Sequence, residues 1–164
     1  MIISIDPFVY FFLAISLYYL FLFLVSKKDP KNRVTNSREW GYVIFIPVHN
    51  EDKVIQSTLK KALELSVRPQ VIVVNDGSTD ETSKILESSN DQRLHIVTRS
   101  YPNAKQGKGE ALNSAYTFFL DNYNKWFSAS SPDRIIITVL DADGYFDSNQ
   151  FNYIAGMLET RTDL

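Results

Sequence analysis

The run IIITVL at residues 135–140 constrains this chain more than any other stretch, because it stops abruptly at two carboxylates, Asp141 and Asp143, followed by Gly144. An unbroken apolar and β-branched run of this length fits a strand buried on both faces, which belongs in a parallel sheet covered by helices. Ligands of such sheets bind just outside the carboxyl ends of the strands, where these two aspartates fall. Their i, i+2 spacing can turn two carboxylates toward one hard cation, which prefers oxygen ligands. Taken alone, the pattern has a second reading, in which both residues end a strand and cap the next helix.

Three further apolar runs are punctuated in the same way. Residues 43–46 close at Pro47 and lead into His49, Asn50 and Glu51; residues 71–74 lead into Asn75, Asp76 and Gly77; residues 94–97 lead into a polar loop at 99–107. Helical stripes separate them: Ile55, Leu59, Ala62 and Leu63; then Ile85 and Leu86; then Ala111, Leu112, Ala115, Tyr116 and Phe119. A last stripe, Phe151, Ile154, Ala155 and Leu158, follows Gly144. Asn50, Ser148 and Ser78 (paired with Glu81 at capping-box spacing) are the expected N-caps, with Asp80 in a first turn. Residues 121–133 read as a polar connection. Strands alternating with helices predict an α/β, doubly wound, mostly parallel sheet.

In such a sheet the loops starting at Pro47, Asn75 and Asp141 open on one rim. Asp76 could accept hydrogen bonds from a base or ribose, and the Asp141/Asp143 pair could hold a divalent cation against a diphosphate. Lys105 and Lys108, on either side of Gly107, could bring an ammonium group to phosphate. Together these groups suit a nucleoside diphosphate with a metal.

Residues 7–25 carry no charge and, at 1.5 Å per residue, span about 28 Å, close to the hydrocarbon thickness of a bilayer. Lys27, Lys28, Lys31 and Arg33 follow, whereas Met1 to Asp6 carries no basic side chain, so the positive-inside rule puts the remainder in the cytoplasm. The expected organisation is a single-pass anchor in the cell membrane over residues 1–26, a cytoplasmic linker over 27–40 and an α/β domain over 41–164. A cleaved signal peptide would need a basic start and a shorter apolar core. With 17 basic and 19 acidic residues the formal net charge is −2, and no basic face is interleaved with aromatics, so nucleic acid is not an expected partner. The absence of cysteine excludes disulfides, Cys-ligated zinc and thiol catalysis. His49 and His95, the only histidines, fall on different predicted elements and leave little material for a histidine metal site or a Ser-His-Asp triad.

The sequence resembles the family 2 glycosyltransferases with the GT-A fold, which use nucleotide-activated sugars. Four blocks carry the resemblance, in the family's order: IPVHNED at 46–52, VVNDGSTDET at 73–82, GKGEALN at 107–113 and LDADG at 140–144. It implies that Pro47, His49, Asn50 and Glu51 line the nucleotide pocket, with Glu51 near the ribose or base. It implies that Asp76 hydrogen-bonds uracil or its ribose, that Lys108 lies near the base or diphosphate, and that Asp141 faces the sugar-nucleotide. Asp143 would be the principal metal ligand, with Asp141 beside it, for Mn²⁺ or Mg²⁺ acting as a Lewis acid on the departing diphosphate.

The implied reaction transfers a sugar, from a UDP-sugar as the expected donor, to a polysaccharide or lipid-linked acceptor with inversion. It needs a carboxylate general base, expected beyond Leu164. On this reading the chain is an apparently truncated GT-A domain, the donor-binding half, with a membrane partner supplying the acceptor half. The competing reading is a non-catalytic, membrane-anchored nucleotide-binding or interaction protein. A sugar nucleotidyltransferase would want a glycine-rich loop after the first strand, which Pro47-Val48-His49-Asn50 lacks.

Overall fold

The computed structural model describes residues 7–26, 40–128 and 130–160. The chain separates into two compact units, Met1–Arg33 and Val34–Leu164. In the first, helix α1 (Pro7–Ser26) opens with proline, which is tolerated at the first helical position because its missing N–H would have no partner there. Residues 7–25 are exposed, and over Pro7–Val25 the helix is long and apolar enough to cross a membrane. The basic side chains used to orient it, residues 27–39 of the expected linker over 27–40, and residues 161–164 lie outside the described residues.

The second unit runs β1 (Gly41–Val48), α2 (Ile55–Leu63), β2 (Gln70–Asp76), α3 (Thr82–Ser88), β3 (Leu94–Arg99), α4 (Lys108–Trp126), β4 (Ile135–Val139) and α5 (Ser148–Thr160), with a 3-10 turn at Pro132–Arg134 before β4. The four strands form one sheet in the order β3-β2-β1-β4, with every pair parallel. Helices cover both faces, so the doubly wound α/β expectation holds. Tyr42, Ile44, Ile46, Val71, Val73 and Ile136 face a core shared with Ile55 and Leu59 of α2, Leu86 of α3, and Phe151 and Ala155 of α5. Val43, Phe45, Ile72 and Val74 point the other way, onto Ala111, Ala115 and Phe119 of α4. Strand order steps outward from β1 to β3 and then returns to the far side of β1, so the winding reverses after β3 and the switch point lies between β1 and β4. Right-handed crossovers therefore put α4 on the face opposite α2 and α3.

Three local expectations are corrected. β4 is not buried on both faces: it forms an edge, where Ile136 is buried but Ile137 and Val139 are 38% and 45% exposed. The cause is the strand order, because α4 lies over β1 and β2 and leaves the same face of β4 uncovered among the described residues. Residues 121–126 are the last turns of α4 and not a connection; Asp121, Asn124 and Lys125 form its exposed side while Phe119, Tyr123 and Trp126 stack inward. Tyr116, expected on the apolar face of that helix, is 49% exposed.

Candidate functional site

Parallel strands deliver three loops to one rim, and the first two are stitched together. Asn50, at the tip of the loop after β1, has φ +57°, a left-handed conformation that asparagine tolerates better than most residues. Its N–H donates to Ser78 Oγ (3.0 Å), and its side-chain carbonyl accepts from Thr79 N–H (2.8 Å). Glu51 N–H donates to Thr82 Oγ1 (2.9 Å) and Asp52 N–H to Asp80 Oδ2 (3.2 Å). None of the three expected caps caps a helix by its side chain. Asn50 and Ser78 bond each other's loops, and Ser148 Oγ accepts from Ser66 N–H (3.1 Å). Asp80 lies two residues ahead of α3 and accepts Thr82 N–H (3.0 Å). Partial burial pushes its carboxyl up, but hydrogen bonds from Thr82 and from Asp52 N–H outweigh that and hold it below the usual carboxylate range.

At the end of β2, Asp76 is buried. Its Oδ1 accepts from Arg99 Nη1 (2.8 Å) and from Lys105 N–H (3.0 Å). The backbone carbonyl of Asp76 accepts from His49 Nδ1 (2.9 Å), so that nitrogen carries the proton. Gly77 follows with φ +70°, and a Cβ there would stand 3.0 Å from Ala104 Cβ, so the loop before α4 closes directly over this glycine. Arg99, the counter-charge of Asp76, is a residue of this region that the sequence reading missed. Its signal is register: β2 and β3 pair with Asp76 opposite Arg99 at the ends of adjacent parallel strands.

After β4, Asp141 and Asp143 are exposed and flank Ala142, which is buried and accepts Thr58 Oγ1 through its carbonyl. That anchor on α2 sends the two carboxylates outward. Gly144 N–H closes the turn on Asp141 O (2.9 Å), and a Cβ at Gly144 would meet Leu140 Cδ1 at 2.7 Å. Lys108, the first residue of α4, reaches across and pairs its ammonium with Asp141 Oδ1.

These pieces enclose a cleft of about 560 Å³ at the point where strand order reverses between β1 and β4. Pro47, His49, Glu51, Asp76, Lys108, Asp141 and Asp143 all line it, as does Lys105. Asn50 does not; it staples the first two loops together. Among the described residues no group of three or more His, Cys, Asp or Glu side chains could by itself hold a metal ion. Two carboxylates nevertheless suit a hard cation whose remaining ligands are water and phosphate oxygens, the way Mg²⁺ is commonly held. The donor set fits such an ion arriving with a diphosphate and not a closed structural metal site.

Residues 43–164 match the family model described as Glycosyl transferase family 2. The chain is 36% identical over 124 residues to a probable glycosyltransferase of Bacillus subtilis, YdaM, covering 72% of this chain and 26% of that protein. It is 32% identical over 117 residues to an uncharacterized glycosyltransferase of Mycoplasma pneumoniae, covering 70% of this chain and 35% of that one. It therefore spans about a quarter to a third of the length of these relatives. Among solved structures, a mannosyltransferase of Pyrobaculum calidifontis in complex with GDP-Man and Mn²⁺ superposes with a TM-score of 0.65 at 23% identity, covering 88% of this chain and 41% of that one.

Proposed function

This chain belongs to glycosyl transferase family 2, and from that premise we propose that its cleft is the donor site of an inverting, metal-dependent transfer of sugar from a nucleotide-sugar, with a UDP-sugar as donor. One observation carries the reading: carboxylates and ammonium groups from four separated stretches of sequence converge on a single cleft at the switch point of a parallel sheet. Asp76 accepts hydrogen bonds from the nucleoside, and Glu51, on the first loop, lies near the ribose or base. Lys108 offers its ammonium to the diphosphate. Asp143 and Asp141 hold Mn²⁺ or Mg²⁺, which when bound acts as a Lewis acid on the leaving diphosphate.

In the transfer itself an acceptor hydroxyl oxygen forms the new bond to the anomeric carbon. The bond from that carbon to the diphosphate breaks, its electron pair leaves with the diphosphate, and the hydroxyl proton passes to a carboxylate base. That base is not assigned to any residue of the cleft. The sugar passes to a polysaccharide or lipid-linked acceptor. The apolar α1 helix supports a single-span anchor, and the basic residues that follow it in the sequence support a cytoplasmic location for the rest of the chain. Carbonate extraction tests the anchor, and release of the chain into the soluble fraction would count against it.

The deciding experiment is calorimetry of UDP, with GDP in parallel, on the detergent-solubilised chain in the presence and absence of Mn²⁺. GDP is included because the Pyrobaculum enzyme of the same fold binds GDP-Man. The expected result is nucleotide binding strengthened by Mn²⁺, with the strengthening lost in Asp143→Asn. Absence of binding to either nucleotide, with or without the ion, would overturn the reading and favour an interaction protein that keeps only the fold.

A further inference from the structure

Asp76 is the buried carboxylate of the cleft, and the guanidinium that neutralises it comes from Arg99, a residue that does not line the cleft. The two side chains are 11% and 7% exposed. A carboxylate this far from water is tolerated only when paired and hydrogen-bonded. Arg99 meets both demands through a planar fork: Nη1 donates to Asp76 Oδ1 and Nη2 donates to the carbonyl of Asn103, in the loop before α4. Lys105 N–H, from the same loop, donates to the same Oδ1. Both bonds therefore fall on one oxygen, which leaves Oδ2 as the acceptor that a ligand in the cleft would meet. The pair is built on the register of two parallel strands, Asp76 opposite Arg99, so the carboxylate is aimed by rigid elements and not by a flexible side chain.

We propose that Arg99 is a positioning residue for nucleoside recognition: it clamps Oδ1 of Asp76 so that Oδ2 is presented to the nucleoside before the ligand arrives. The inference rests on the donor-site reading above. A purely structural clamp would have different consequences. Arg99 acts at the nucleoside end and through one carboxylate, so its effect should vanish when that carboxylate is removed. It should also spare the metal end of the cleft.

The test is a double-mutant cycle on the full chain with wild type, Arg99→Lys, Asp76→Asn and the double variant, reading UDP and GDP affinity by calorimetry and uridine affinity by NMR titration. Lysine keeps the charge but lacks the planar fork that reaches Asp76 and Asn103 from two separate nitrogens. Arg99→Lys is expected to weaken UDP and uridine by the same factor, about tenfold, the scale of a hydrogen bond to a charged group. The ratio of UDP affinities with and without Mn²⁺ should stay unchanged. In the Asp76→Asn background, adding Arg99→Lys should cost nothing further; this comparison remains readable even if Arg99→Lys alone does not fold.

Losses that add across the cycle, or an Arg99→Lys chain that folds and binds uridine as wild type does, would overturn the proposal. Wild type that binds neither nucleotide fails the donor-site reading first, and this inference falls with it.

Discussion

Asp76 and Asp141 occupy corresponding places, each at the carboxyl end of a parallel strand and each on the wall of the same cleft, yet they are held in opposite ways. Asp76 ends a strand with neighbours on both sides, is buried, and receives a guanidinium and a backbone N–H on one oxygen. Asp141 follows the edge strand β4, is 66% exposed at its side chain, and is met by Lys108, itself 55% exposed and carried on a flexible stem. Position in the sheet accounts for the difference. A central strand has a neighbour in register to supply a counter-charge from rigid backbone, whereas an edge strand has solvent on its open side. The end proposed for the nucleoside is accordingly built in advance. The end that would take the diphosphate and cation is held loosely, which suits groups that must change partners when two charged species arrive together.

The sharpest way to break this contrast is to remove the counter-charge at each end and compare stabilities. Arg99→Met leaves Asp76 buried and unpaired, and is expected to cost about 3–5 kcal/mol, read as a lowered urea midpoint at unchanged slope. A loss below about 1 kcal/mol would mean that water reaches Asp76 and that the prebuilt end is not prebuilt. Gly77→Ala probes the same end through the backbone. It forces alanine into φ +70° and sets its Cβ 3.0 Å from Ala104, with an expected cost of about 1–3 kcal/mol by thermal or urea unfolding. If the loop before α4 can lift away, the loss will sit at the bottom of that range and nucleotide affinity will fall in its place.

The same contrast explains what could be read from the sequence. The four strands, their order along the chain and the rim where Asp76, Lys108, Asp141 and Asp143 meet follow from apolar runs that each stop at polar residues. Those signals are local. What escaped depends on partners far away in the chain. Asn50, Ser78 and Ser148 have the composition of N-caps, but their side-chain oxygens are used by residues 29, 28 and 82 positions distant. The IIITVL run looks buried on both sides because its composition cannot say that α4 would settle over β1 and β2. Arg99 looks like the start of a polar loop until β2 and β3 are paired in register, at which point the buried Asp76 demands a cation opposite it. Apolar periodicity thus locates the cleft, while the choice of which carboxylate is rigid comes from strand order and register.

The smallest effect belongs to the open end, and its signs separate the two ends most cleanly. Lys108→Met removes one member of an exposed ion pair, so the expected loss of stability is at most about 1 kcal/mol and shrinks toward zero in 1 M salt, where the Debye length falls to about 3 Å. Binding should respond in two directions. Without the ammonium, Asp141 is free to take a cation, so Mn²⁺ alone, followed by its electron paramagnetic resonance signal, should bind about two- to fivefold more tightly, the scale of one exposed pair. UDP should bind more weakly, because the diphosphate has lost its ammonium. In wild type, by the same logic, a cation that displaces Lys108 from Asp141 frees it for the diphosphate, so ion and nucleotide should strengthen each other by equal factors. Lys108→Met should reduce that mutual factor while Arg99→Lys leaves it alone. Equal reductions in both variants would mean that the two ends are one rigid unit, and the distinction between Asp76 and Asp141 would fail.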